Sequence, residues 1–530
     1  MRQSAAAIAL LAAAAVVPGA ALLWPHLPPL HEDEVLPLVP LLLLTKNAPA
    51  YGNAFLASCP ITIHGVPVPL TSYVIEGPIK AMLYALAYPA TRWAYVPEHL
   101  IGFYRASNLA WTWALFAGVL AACRRLGGMR AVACALTLLV PDVALIYLGV
   151  TDLGRPIHLL AGVVLAFVLA AHVERPGWRA VAGIALAVFV GEWDRADFLW
   201  FMVAGLAGVV AACVVVPIRR WGRVVGPVVA GYALGLAGAA LVAPEYFRLA
   251  ANGAGSRIPL TDVGRLWAHL RALLFALDPL GSFQRHFDVG EWTGGQPYVL
   301  YRWSYVALAV LASIGLAAVG WRERRGAFLL YAAFPAGLLL LVVVTAESYL
   351  VHHVLVVKPF LYVALAVLAA RGIEHWRAPG LAAWIAIAGA SAFVQMHAFA
   401  DVRRAPMATG IYGVTWNQSD AWTAAAGSGA PLVIALDFGA WVPGALASPA
   451  DQRWESTAAP DEAALDTLMA GQALVGLVVR LTGPNAWVID QRRYVVVERA
   501  VFSSHPGDAW GFIALRPPAL TSVASRRRRG

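Results

Sequence analysis

The chain has 530 residues, of which 60% are hydrophobic and only 13% charged, with a mean hydropathy of +0.67. A water-solvated globular chain averages about 45–50% apolar and about 25% charged residues. A soluble enzyme, a disordered scaffold and a nucleic-acid-binding domain are therefore excluded as readings of the whole chain. The formal charge of +9 does not imply a nucleic-acid partner, because basic residues also orient membrane proteins and their position decides their meaning. What remains is a polytopic membrane protein. Its four cysteines form no CxxC pair and no zinc spacing.

A helix that crosses a bilayer needs about 20 mostly apolar residues. Such runs predict spans over 5–24, 105–123, 131–150, 156–172, 179–192 and 198–217, then 224–243, 303–321, 326–345, 350–370 and 380–398. That makes a mainly α bundle of about eleven transmembrane helices. The first run reads as an uncleaved helix rather than a secretory signal, because it extends to Leu23 and stops at Trp24-Pro25. Long loops cover 25–104, with surface-lying amphipathic stretches, and 244–302. Residues 1–398 form the membrane domain. From 399 the composition shifts to a soluble α/β domain (399–530). Strands are expected there over Pro431–Val442, Ala473–Leu481 and Tyr494–Val501, a helix over Asp461–Gly471, and a basic tail at Arg526–Arg529.

Charge placement tests the map independently. Alternate short loops hold thirteen arginines, among them Arg124, Arg125, Arg130, Arg175, Arg179, Arg219, Arg220 and Arg223. Only three of the chain's 30 acids, Glu174, Glu323 and Glu374, share those loops. By the positive-inside rule these loops, and the N-terminus, are cytoplasmic. The long loops and the C-terminal domain then lie outside, as expected for a multi-pass protein of a bacterial inner membrane.

The candidate chemistry collects on the outer face. His31-Glu32-Asp33-Glu34 follows the first span. Adjacent carboxylates at a membrane surface repel one another, which suits a general base or a divalent cation such as Mg or Mn; a solvated acidic stop is the plainer alternative. Asp142 lies inside an apolar run, where an ionisable group is costly and is a functional candidate by default; a buried hydrogen bond between helices is its alternative. Thr151-Asp152-Leu153-Gly154-Arg155-Pro156 follows, with a surface salt bridge between Asp152 and Arg155 as the plainer alternative to a site. Glu192-Trp193-Asp194-Arg195-Ala196-Asp197 joins two spans, as a site or as a solvated turn. His352-His353 precedes Lys358-Pro359; adjacent helical residues diverge by about 100° and do not readily share one metal ion. Lys80 can hold a lipid phosphate as a point charge, or simply snorkel to the headgroups.

The order of these motifs resembles the GT-C superfamily of membrane glycosyltransferases, in particular the family of protein O-mannosyltransferases and aminoarabinose transferases acting on lipid A. The resemblance rests on Asp33-Glu34, Gly77-Pro78-Ile79-Lys80, Pro141-Asp142, Asp152-Leu153-Gly154-Arg155-Pro156, Glu192-Trp193-Asp194-Arg195 and His352-His353 with Pro359, over roughly residues 1–400. The acidic run Glu32-Asp33-Glu34 is longer than the family's pair, and Lys80 lacks the Pro-Pro that follows it in the aminoarabinose transferases. The resemblance implies a polyprenyl-phosphate sugar donor, an extracytoplasmic lipid, glycan or protein acceptor, and surrounding membrane lipids. It further implies Asp33, Glu34 and Asp152 as catalytic residues. Lys80, Asp142, Arg155, Glu192, Asp194, Arg195, His352, His353 and Lys358 would bind substrate. A transporter or flippase is the first rival, but transporters place their sites at the midplane between repeats, and no repeat is visible here. A polysaccharide polymerase or ligase is the second, distinguished by the length of its product.

Overall fold

The computed structural model describes residues 61–68, 79–95, 97–151, 155–217, 220–242, 261–276, 296–345, 355–404, 416–436, 444–445, 448–449, 451–456, 462–482, 494–505 and 508–516. In chain order these form the hairpin β1 (Ile61–Ile63) and β2 (Val66–Val68), then α1 (Ile79–Thr91), α2 (Pro97–Leu139) and α3 (Val143–Val150). Next come α4 (Pro156–Glu174), α5 (Ala180–Asp194), α6 (Leu199–Cys213), α7 (Trp221–Val242) and α8 (Val263–Ala276). The helices α9 (Gln296–Glu323), α10 (Gly326–Thr345), α11 (Lys358–Trp376) and α12 (Ala378–Arg404) follow. The remainder is α13 (Trp416–Gly427), β3 (Leu432–Ala435), β4 (Arg453–Ser456), α14 (Glu462–Met469), β5 (Val475–Arg480), β6 (Val495–His505) and β7 (Asp508–Arg516). They divide into two compact units, one centred on Arg105–Ala405, the other combining Lys80–Tyr104 with Pro406–Gly530 and the β1–β2 hairpin.

In the first unit, six helices among the described residues are long and apolar enough to cross a membrane. The difference from the larger expected number has local causes. The run at 5–24 lies outside the described residues. α2 is two helices joined at Gly128, whose φ of 69° interrupts the helix; glycine tolerates this left-handed region because it has no Cβ. Cys123 and Cys134, on the two halves, lie beside each other, both buried. Pro141 ends the expected third span early, because proline lacks an N–H and disfavours helix in the residue before it. α5 and α6 are only 15 residues each. Helices pack closely through small residues: Gly231 and Gly235 of α7, one turn apart, receive Ile184 and Val188 of α5, where added Cβ atoms would come within 2.6 Å. This spacing suits close helix approach in lipid.

One end of this bundle is fixed by arginine. Arg125 donates to Glu174 at 2.8 Å and Arg325 to the other oxygen of Glu174 at 3.3 Å. Arg130 pairs with Glu374 at 2.6 Å, and Arg371 pairs with Glu323. The Arg325 and Arg371 guanidiniums both lie over the Phe328 ring, at 4.2 and 5.0 Å from its centroid. All three acids of the arginine loops are thus paired with arginines from other loops, so those loops share one end of the bundle.

The second unit is a three-layer α/β/α domain. Its sheet runs in the order β4-β3-β5-β7-β6, with β3 parallel to β4 and β5, and β7 antiparallel to β5 and β6. Strand side chains alternate between faces. Leu432, Ile434, Leu477 and Leu515 pack with Leu465 and Met469 of α14 on one face. Val433, Ala435, Val478 and Phe512 pack with Trp422 of α13 on the other. That second core also takes in Val66 and Val68 of the hairpin, Tyr84 of α1 and Tyr104 of α2. The first long loop therefore contributes to the core of the C-terminal domain, which the sequence reading does not anticipate. Leu86 of α1 and Trp93 in the turn that follows it remain exposed.

Candidate active site

Asp142 sits in the break that Pro141 makes. Its backbone carbonyl accepts from Ile146 N at 3.0 Å, and its Oδ1 accepts from Leu145 N at 2.9 Å, so it caps α3 as an N-cap carboxylate. Lys358, at the first turn of α11, donates from Nζ to Oδ2 at 3.0 Å and Oδ1 at 3.3 Å. Tyr362, one turn further along α11, donates its hydroxyl to Oδ2. Both charges are 0% exposed. At about 1.5 Å of rise per residue, Asp142 lies about 18 Å from Arg130, and Lys358 about 20 Å from Arg371. If the arginines mark a headgroup boundary, a hydrocarbon core about 30 Å thick would enclose the pair. The other end of α3 is also held. Asn108 Nδ2 donates to Val150 O at 3.2 Å, and Gly149 faces Thr112 with no room for a Cβ. Arg105, Asn108 and Thr112 form a buried polar stripe on α2. Their i, i+3, i+7 spacing on a helix was the available signal.

A second cluster forms where α4, α5 and α6 meet at the end away from the arginines. Arg155 caps α4 in the left-handed region at φ 45°, a strain of about 1–3 kcal/mol for a side-chain-bearing residue. His158, one turn on, lies 3.3 Å from Asp197 through Nε2, and Arg195 Nε lies 2.9 Å from the other Asp197 oxygen. Asp194 and Arg155 also lie in the field of the His158 ring, and Glu192 in that of Asp197. Glu192, Asp194 and Arg195 are 3%, 7% and 4% exposed, so this segment is not a solvated turn. Asp194 Oδ2 is buried with no hydrogen-bond partner among the described residues. The His158 ring meets Phe198 and Phe201 edge-on at 5.4 and 5.1 Å. Gly191 and Gly162 make room for these rings, since an added Cβ would come within 2.2 Å of Phe198 and 2.3 Å of Phe201. Phe360 lies 6.0 Å from Phe201, two residues beyond Lys358, so an aromatic layer links the two clusters.

The structure thus brings Asp142 together with Lys358, and Arg155 together with Glu192, Asp194 and Arg195. Asp197, the last residue of the Glu192–Asp197 motif, joins them with His158 and Tyr362; the sequence reading misses the latter two, although His158 follows Arg155, and Tyr362 follows Lys358, by one helical turn. Lys80 lies in the other unit, 5% exposed at the start of α1. Asp33, Glu34, Asp152, His352 and His353 lie outside the described residues. Among the described residues no three His, Cys, Asp or Glu side chains are placed to hold a metal ion. Three carboxylates, two guanidiniums and an imidazole at the second cluster form a polar set able to hydrogen-bond a polyhydroxylated ligand.

No family model matches the chain, and no curated protein matches it by sequence. Solved structures do match. ArnT from Cupriavidus metallidurans in the apo state superposes over 97% of this chain and 98% of its own, with a TM-score of 0.58 at 12% identity. The chain has the ArnT fold. ArnT bound to undecaprenyl phosphate matches over 96% and 97% of the two chains, with a TM-score of 0.53 at 11% identity. The likeness to ArnT extends through the helical bundle and the C-terminal sheet alike, since nearly all of each chain is covered.

Proposed function

We propose that this protein is an inverting glycosyltransferase that moves one monosaccharide from a polyprenyl-phosphate carrier to an extracytoplasmic lipid, glycan or protein. The observation that carries this reading is the ArnT fold over nearly the whole of both chains, together with the undecaprenyl phosphate bound in one ArnT structure. The order of outer-face motifs supports it independently.

In this reading Asp33 or Glu34 takes the proton of the acceptor hydroxyl while that oxygen attacks the anomeric carbon. The bond from that carbon to the phosphate oxygen breaks on the opposite face, inverting the configuration. Polyprenyl phosphate leaves with the electron pair, and its charge is met by Lys80, Arg155 and Arg195. Asp152 assists in the same segment as Arg155, while Glu192 and Asp194 hold sugar hydroxyls. His352 and His353 contribute to substrate binding, and Asp142 with Lys358 keeps α3 in place behind them. The arginine end faces the cytoplasm and the chemistry faces outward.

Mass spectrometry of envelope lipids and glycans from cells with and without the protein tests this. A single-sugar mass increment that requires the protein is expected, and Asp33→Asn is expected to lose it while still accumulating in the membrane. A ladder of sugars would assign a polymerase instead, and an unchanged envelope would sink the proposal.

A further inference from the structure

We infer that the arginine end carries a headgroup site for an anionic phospholipid, where the turn between α4 and α5 meets the first turn of α7. His172 pins these segments together. Its Nε2 lies 2.8 Å from Val224 O on α7, and its Nδ1 accepts from Gly177 N in the turn at 3.3 Å. The neutral tautomer with hydrogen on Nε2 satisfies both bonds. This juxtaposition gathers Arg175, Trp178 and Arg179 with Arg220, Trp221 and Arg223, all exposed.

None of these four arginines has an acidic partner among the described residues. Glu174, the acid beside them in sequence, is engaged by Arg125 and Arg325. The indole of Trp221 is fixed in place by bonds from Nε1 to Cys213 O and Val216 O, each 3.1 Å. Trp178 is 70% exposed.

Guanidinium groups match phosphate bidentately, and tryptophan settles at headgroup depth. Basic pockets between helices on the cytoplasmic side suit anionic lipid headgroups. Further along the same two helices Leu186 on α5 and Val229 and Leu234 on α7 are each exposed and apolar, as surface that acyl chains cover. A membrane phospholipid meets both the charge and this apolar surface; a free anion or an acidic protein meets only the charge. The site does not depend on the proposed transferase activity.

The test is the thermal midpoint of the purified full chain in neutral detergent, titrated separately with phosphatidylglycerol, phosphatidylcholine, inorganic phosphate and polyglutamate. Phosphatidylglycerol alone is expected to raise the midpoint. The double variant Arg179→Gln/Arg223→Gln is expected to bind it about 30-fold more weakly. An equal response in that variant, an equal response to phosphate or polyglutamate, or no response to phosphatidylglycerol would overturn the site. Native mass spectrometry of the unmodified chain gives a readout independent of any variant. Phosphatidylglycerol should be retained over phosphatidylcholine of equal chain length, and equal retention would also overturn it.

Discussion

Lys358 and Asp142 form an ion pair in which both side chains are fully buried, so each depends on the other. Removing one partner of such a pair strands a charge in an apolar interior and costs about 3–5 kcal/mol, whereas removing both is far milder. Lys358→Met should therefore lower the thermal midpoint in detergent sharply, and Asp142→Asn/Lys358→Met should recover most of the loss. A single variant as stable as the parent would show that the two charges are not mutually dependent. Gly191 gives a second residue-scale expectation. An added methyl there displaces Phe198 from beside His158, and overpacking of this kind costs about 1–3 kcal/mol. Gly191→Ala should lower the stability by that amount, read as a lower midpoint in the same melting curves. Asp142 and Lys358 are both visible as outliers in the sequence, because a charge in an apolar run needs a reason. Their pairing is not visible: they lie 216 residues apart, and no spacing rule connects them.

Helices were the more legible elements. Apolar runs fall where α4, α7, α9, α10 and α12 form, and expected strands fall on β3, β5 and β6, because hydrophobic period is the physical cause of both. β4 and β7 are not among the expected strands. The short β4 carries charged residues and pairs at the edge of the sheet. β7 is recognisable only once β5 and β6 are in place on its two sides. The least legible feature was the shared core of the second unit. The hairpin and α1 look like a membrane-surface loop because their partners, Trp422 and Phe512, lie hundreds of residues away. Tyr84→Ala, which removes a buried ring from that core, should cost about 3–5 kcal/mol. It should also expose the C-terminal sheet to limited proteolysis, although the substitution is far from it in sequence. Cleavage confined to α1 would show that the sheet does not rely on it.

At the scale of the whole molecule, charge sorts the ends of the bundle. Arginine loops joined by ion pairs mark one end, and buried acids with His158 mark the other. A cysteine at Arg377, in a background without other cysteines, should be shielded from a membrane-impermeant maleimide in intact spheroplasts. A cysteine at Glu498 should be labelled. The reverse pattern would invert the orientation. The shared core of the second unit also bears on how the protein is made. The hairpin and α1 leave the ribosome more than 300 residues before α13 and the sheet. At synthesis rates of about 5–20 residues per second, this half-core waits roughly 15–60 s for its partner. During that interval Val66, Val68 and Tyr84 keep neighbours such as Phe103 and Tyr104 but lack the cover that α13 and the sheet supply, which a chaperone or the bilayer surface would have to replace. A chain cut short before Trp416 would carry that need permanently, and quality-control proteases would meet it as an orphan.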